Sequence, residues 1–237
     1  MGEMKKTLNV YAYEKLKEMI LNNEFGAGAH LEEKVLCDLL QISRTPLREA
    51  INRLVFENLV QTIPKKGIFV TELSIQFITE LFQARKIIEP MVVMLSAKNL
   101  NMDRLVELRK QTIQLIQEED VTAIHKLDYV FHDYLNSRCG NQHILKSINY
   151  ISDQFQRVRT QDFYPKERAL KGAHEHIRIL DTLINEEYDA LPQLIRQHIT
   201  STENYYFKNL LKPDPLEEQI QKASGITEGL DEGIKIS

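Results

Sequence analysis

The sequence predicts a mainly α protein in two parts, a small head of three short helices and a hairpin followed by an all-helical bundle. Three observations predict it. Apolar residues recur at three- and four-residue steps through most of the chain. One stretch, "LVQTIPKKGIFVTEL" at 59–73, instead sets β-favouring residues on either side of a Pro-Lys-Lys-Gly turn. And 9 Gly and 7 Pro in 237 residues leave few places for a helix to be broken, so the helices must be long.

The head is justified element by element. Residues 8–22, "LNVYAYEKLKEMILN", place Val10, Tyr13, Leu16, Met19 and Ile20 near helical spacing, and "NEFGAGAH" ends that helix with two glycines. "LEEKVLCDLL" is a second, short helix with Val35, Leu36, Leu39 and Leu40 apolar, and "QIS" is a tight turn. The third helix follows, with Leu47, Ala50, Ile51, Leu54 and Val55 as its buried stripe. The hairpin comes last, with Lys65 and Lys66 at a basic tip. Helix, helix, turn, helix, hairpin is the order of a winged helix-turn-helix.

From Ser74 the pattern changes. "SIQFITELFQARKIIEPMVVMLSAKNL" is one long amphipathic helix, expected to kink at Pro90. Five more segments with helical spacing follow, beginning at Met102, Val121, Asn141, Glu167 and Asp189, and no strand pair or internal repeat interrupts them. The expected division is a head over 1–73, a helical effector-binding and dimerisation domain over 74–212, and a tail over 213–237, where periodicity is lost and Pro and Gly return. The tail is compatible with an arm exchanged with a partner subunit and with a disordered extension.

Composition narrows the function classes. At 43% hydrophobic and 27% charged the chain is globular. A net charge of -4 excludes a generally basic nucleic-acid binder but not a local basic patch, which acts over about 10 Å. Cys37 and Cys139 lie far apart within helical segments, which favours reduced thiols in a cytoplasmic protein. "MGEMKKTLNV" has no apolar run of a signal peptide, and no segment approaches the roughly 20 apolar residues that span a bilayer.

The third helix opens with "SRTPLRE", which puts Arg44 and Arg48 at its positive end. A cation there is mildly unfavourable unless an outside anion compensates, and a helix N-terminus with free N–H groups suits a phosphate. Ser43 and Thr45 are N-cap residue types, and Pro46 suits the first turn. In a helix-turn-helix this helix enters the major groove, where arginine pairs with guanine O6 and N7. A capped helix start with solvated arginines is the bland alternative; the preceding helix and the basic wing favour DNA.

"LEEKVLCDLLQISRTPLREAINRLVFENLVQTIPKKGIFV" resembles the winged helix-turn-helix of GntR-type bacterial transcription regulators, over roughly residues 8–73. The resemblance implies that Lys34, Ser43, Arg44, Thr45 and Arg48 contact operator DNA, with Lys65, Lys66 and Gly67 in the wing. There are two departures. The family has arginine where this chain has Lys34, and glycine where it has Asn58, a residue that tolerates the left-handed conformation.

In the bundle, "DYVFH" sets Asp128 and His132 at i and i+4 on one helix face, and His176 and His198 lie in two later helices. One Asp and three His converging in a bundle core would suit a divalent metal. The competing reading makes them packing residues, as is expected of His125, His143 and His174. Residues 75–210 also resemble the FCD effector domain of FadR-type GntR regulators. This implies that Asp128, His132, His176 and His198 bind a divalent metal, with Zn, Ni, Mn and Fe as candidates. It also implies that Arg85 faces the same cavity and receives a small carboxylate effector. An ion pair between Arg85 and Glu89 one turn on is the other reading of that arginine.

The expectation is therefore a ligand-responsive repressor, not an enzyme, that binds a pseudo-palindromic operator as a homodimer. Two alternatives remain at this stage. A metal-dependent enzyme would leave the winged head unexplained and finds no motif marking a general base. A constitutive DNA-binding protein would use the bundle only as scaffold.

Overall fold

The computed structural model describes residues 7–160 and 165–210. The stretch expected as a tail, 213–237, lies outside them. The head comprises α1 (Leu8–Leu21), β1 (His30–Leu31), α2 (Glu33–Leu40), α3 (Arg44–Phe56), β2 (Val60–Ile63) and β3 (Gly67–Val70). The bundle comprises α4 (Ile75–Ala97), α5 (Met102–Glu118), α6 (Val121–Ser137), α7 (Gln142–Arg159), α8 (Lys166–Ile184) and α9 (Leu191–Leu210), with a short 3-10 turn at Tyr188–Ala190 before α9.

The hairpin forms where the β-favouring residues stand, with Val60 opposite Val70 and Ile63 opposite Gly67. One strand went unanticipated. β1 adds antiparallel to the outer side of β3, giving the order β1-β3-β2. Two residues are too short to show alternation, so nothing in the sequence marks it. The wing needs its glycine: Gly67 has φ +116°, and a Cβ there would stand 2.6 Å from His30 Nε2. Asn58 takes φ +53° in the turn between α3 and β2, the left-handed conformation that asparagine tolerates.

α1 buries Ala12, Leu16 and Ile20 against Leu47, Ala50, Ile51 and Leu54 of α3, and Leu59, Val60 and Val70 close this core from the wing side. Each fully buried leucine contributes about 1.5–3 kcal/mol. A separate core fills the bundle. It is centred on Phe82, Phe131 and Phe155, with Leu108, Leu180 and Ile199 around them.

Capping side chains place the bundle's breaks. Ser74, Asn101, Asp120 and Asn141 each accept a hydrogen bond from a first-turn N–H, starting α4, α5, α6 and α7. α4 is one helix through Pro90, which is buried there and removes the N–H that the Lys86 carbonyl would otherwise receive.

α7 carries the contacts between bundle and head. Gln154 Nε2 donates to the Glu57 carbonyl at 2.8 Å, the Asn58 amide donates to the Tyr150 hydroxyl at 3.1 Å, and Arg157 donates to the Thr71 carbonyl. Tyr150, Gln154 and Arg157 are spaced as one helical stripe. Both cysteines are free thiols. Among the described residues no helix is long and apolar enough to cross a membrane.

Candidate DNA-binding face and candidate metal centre

The head positions its polar residues by the way α3 starts. Ser43 is the N-cap, in extended conformation at φ −79°, ψ 169°, and its hydroxyl makes no capping hydrogen bond. The helix begins at Arg44, so Thr45 stands in the first turn rather than at the cap. The first-turn N–H groups therefore stay open to an external acceptor. Ser43, Arg44, Thr45 and Arg48 are exposed, as are Lys34 on α2 and Lys65 and Lys66 in the wing turn. Leu47, Ala50, Ile51 and Leu54 hold the opposite face of α3 in the core.

A groove of ≈ 410 Å³ runs between α3 and the wing, lined by Glu33, Arg48, Asn52, Thr62 and Gly67. Arg48 is not solitary there. Its Nε and Nη2 donate to the two carboxylate oxygens of Glu33 at 2.9 and 3.0 Å. Glu33 was not anticipated as a neighbour, because fifteen residues and a turn separate the two.

In the bundle, α6, α8 and α9 bring His132, His176 and His198 together, one ligand nitrogen from each lying within 4.8 Å of the others. Burial pushes the His132 imidazole down to about 4, and it holds His176 and His198 well below the usual value, with the neighbouring histidines adding to the effect. All three are therefore neutral near pH 7, the form that ligates a metal. His176 Nε2 is buried without a hydrogen-bond partner. His198 Nδ1 instead lies 2.7 Å from Glu175 Oε2, which leaves its Nε2 as the ligand atom and gives the ring a carboxylate support. Glu175 is itself held by the buried Arg168 at 3.2 Å.

Asp128 stands at the edge of the triad. Its Oδ1 is 3.4 Å from His176 Nε2 and 3.9 Å from His132 Nε2, while its Oδ2 accepts from Arg159. The donor set, three neutral imidazoles with an adjacent carboxylate, fits a divalent metal, and the orphaned His176 nitrogen lacks the partner such an ion would be. Of the other histidines, His143 and His174 are exposed on helix surfaces. His125 is half-buried and outside the triad.

Beside the triad lies a cavity of ≈ 210 Å³ whose inner wall is Arg85, Glu89, His132, Asn136, Phe155 and Arg159. Arg85 forms the ion pair with Glu89 and also lines this cavity. Its guanidinium pairs with Glu89 through Nε and Nη2 and lies 3.5 Å over the Phe155 ring, yet Nη1 is buried with no acceptor. Glu89 was legible four residues after Arg85, and the ion pair expected of it is present. Glu175, Arg159 and Arg168 were missed in the sequence, because tertiary packing alone brings them to the site.

Residues 8–70 match the bacterial regulatory proteins of the gntR family, and residues 80–201 match the FCD domain. The chain belongs to the GntR family. Its combination of head and FCD domain is that of the FadR-like regulators. The Nta operon transcriptional regulator of Aminobacter aminovorans is 28% identical over 184 residues, covering 76% of this chain and 86% of that one. The transcriptional repressor RspR of Escherichia coli is 25% identical over 198 residues, covering 81% and 86%. Among solved structures, E. coli McbR/YncC superposes with a TM-score of 0.74 at 20% identity over 86% of this chain and 99% of that one. A GntR regulator from Rhodococcus sp. RHA1 gives 0.71 at 23% over 83% and 95%. Family and relatives are transcriptional regulators, not enzymes. GntR regulators bind operator DNA, and an FCD domain implies an effector and is often associated with a metal.

Proposed function

We propose that this GntR regulator is a repressor that binds a pseudo-palindromic operator as a homodimer and responds to a small carboxylic acid at a metal-dependent site. The observation that carries the reading is a pair of buried, unsatisfied atoms at one place: His176 Nε2 beside the triad and Arg85 Nη1 in the wall of the adjoining cavity. Such atoms are costly unless a partner arrives. A divalent ion satisfies the first and a carboxylate oxygen the second. His132, His176, His198 and Asp128 would hold the metal, which supplies positive charge and open coordination positions; Arg85 orients the acid.

On the DNA side, the proposed contacts are Lys34, Ser43, Arg44, Thr45 and Arg48, with Lys65, Lys66 and Gly67 following the backbone from the wing. Exposure at the open end of α3 supports them. Dimerisation is supported by Ile87, Met91 and Leu95, which form an exposed apolar stripe at i, i+4 and i+8 on α4. The division into a head over 1–73 and a helical domain over 74–212 is supported by the two separate cores. An effector changes operator affinity only by binding one arrangement of the two heads more tightly than the other.

The test begins with elemental analysis after chelation and dialysis against Zn, Mn and Ni salts. The expected result is about one metal per chain, lost in Asp128→Ala/His132→Ala. No metal under any loading removes the metal-dependent site and leaves the DNA-binding head standing.

A further inference from the structure

The cavity beside the triad does not end in the bundle. Its outer wall is Tyr129, Asp133, Asn149, Ser152 and Asp153 of α6 and α7, together with Lys17 of α1. Lys17 belongs to the DNA-binding head. Its ammonium donates to Asp153 Oδ2 at 2.6 Å, to Glu57 Oε2 at 2.8 Å and to the Tyr13 hydroxyl at 3.1 Å. All three donors are thus engaged, one of them by a cavity residue. Glu57 is the C-cap residue of α3, the helix that carries Arg44 and Arg48.

We propose that the effector cavity is a composite of the two domains, that Lys17 is its second anion receptor, and that its ligand is a short dicarboxylate. The proposal rests on the carboxylate reading of the cavity. The inner end is lined by Arg85, whose Nη1 is buried without an acceptor. The outer end presents Lys17, whose cavity-side partner is a single aspartate that a ligand carboxylate can replace. Between them, Tyr129, Asn149 and Ser152 offer hydroxyl and amide groups rather than hydrocarbon. The wall's carboxylates Glu89, Asp133 and Asp153 are matched in number by Lys17, Arg85 and Arg159, so a diacid binds by displacing a carboxylate from its cation rather than by meeting spare charge. A cavity of ≈ 210 Å³ has the volume of about seven waters, at roughly 30 Å³ each, which matches a four- to six-carbon diacid.

The same geometry supplies the coupling. A ligand carboxylate that takes Lys17 from Asp153 breaks a direct ion pair between head and bundle. Because Lys17 also holds Glu57, the change is delivered to the end of the recognition helix, and no chain of intermediates is needed. The ligand then binds two head positions with different affinity, the condition for any effector to act.

The test uses the full metal-loaded chain, with succinate, malate and glutarate as probes and butyrate as the single-carboxylate control. Calorimetry measures binding, and fluorescence anisotropy measures operator affinity. The diacids are expected to bind wild type more tightly than butyrate. Lys17→Met should weaken them about tenfold or more, the scale of one charge-assisted hydrogen bond, while Lys17→Arg retains most of the affinity. Metal content should stay constant in all variants, and the operator affinity of Lys17→Met should no longer respond to diacid. Asp153→Asn carries the opposite sign and does not depend on Lys17→Met folding: a weakened competitor should tighten diacid binding several-fold. Equal binding of butyrate and succinate, undiminished diacid binding in Lys17→Met, or weaker binding in Asp153→Asn overturns the proposal alone. Failure of every acid to bind the metal-loaded wild type overturns the carboxylate reading and this proposal with it.

Discussion

Glu33 and Arg48 meet side-on: Nε and Nη2 of the arginine are taken by the two carboxylate oxygens, at 2.9 and 3.0 Å, and Nη1 is left outside the pair. The remaining edge of the guanidinium is the one that can reach a base, and the carboxylate fixes the direction in which it points. The Glu33 carboxyl is held below its usual range by its hydrogen bond to Arg48, so the pair persists at neutral pH. Both groups are near the surface, and their contribution to stability is correspondingly small. The role proposed for the pair is to orient the arginine toward DNA.

Two variants separate orientation from charge. Arg48→Ala should lower discrimination at one operator position by about 1–3 kcal/mol. Glu33→Ala keeps the cation and loses only its aim, so it should relax preference at that same position while non-specific affinity holds or rises. Selection from a randomised operator library, followed by titration at two salt concentrations, would show it. An unchanged preference in Glu33→Ala means that the pair does not orient the contact.

The wing gives a second prediction. At Gly67 a side chain meets two obstacles, the positive φ and the His30 ring. Gly67→Ala should destabilise the protein by about 1–3 kcal/mol, the scale of a strained backbone position. It should weaken operator binding by shifting Lys65 and Lys66. Removing the ring in Gly67→Ala/His30→Ala should restore part of the loss but not all of it, since the backbone term remains. Thermal melts of the four proteins in the cycle decide this; full restoration would assign the whole effect to the ring.

How far the sequence revealed this molecule depended on whether a feature was local. The order of the head was readable because each element has its own period and its own punctuation: Gly67 marks the wing turn by residue type, whereas the turn at Asn58 was read through the family resemblance. β1 was not readable, since His30 and Leu31 become a strand only because β3 offers them an edge. At the site, Asp128 and His132 announce themselves by spacing on α6, and His176 and His198 by standing in apolar helices. Glu175 did not, although His198 Nδ1 contacts it 23 residues away, and neither did Lys17, whose partner Asp153 lies on another domain's helix. Support residues have no periodicity of their own. They are chosen by packing, and packing is the part that sequence spacing does not encode.

The triad makes acid stability a further test. In the metal-free protein, burial depresses all three imidazoles, with His132 pushed down to about 4, whereas an unfolded histidine titrates near 6.5. Between these values the unfolded chain binds more protons than the folded one. Stability from this source is therefore fully present above about pH 6.5 and is lost as pH falls toward 4, with a slope of about 1.4 kcal/mol per pH unit for each imidazole. Urea midpoints of the metal-free protein should fall between pH 6.5 and 5, before most carboxylates protonate. His132→Gln should flatten that fall. A midpoint constant over this interval would mean that the imidazoles are not held neutral by the fold.

Glu175 supplies the last prediction, because its position suits His198 as a metal ligand. Its carboxylate lies 2.7 Å from His198 Nδ1 and is braced by Arg168, itself 1% exposed and also bonded to the Thr202 hydroxyl. A carboxylate there fixes the tautomer with the proton on Nδ1, turns Nε2 toward the other two histidines, and makes that nitrogen a better donor to a metal. Glu175→Gln keeps the shape but removes the charge, and its amide can present an N–H to Nδ1, favouring the wrong tautomer. Zinc affinity, measured by competition with a chromophoric chelator, should fall about 10- to 100-fold. The folded core should be retained, since Arg168 keeps its bond to Thr202. Zinc affinity equal to wild type would show that His198 does not ligate through Nε2, and the centre would then have to be rebuilt around His132, His176 and Asp128.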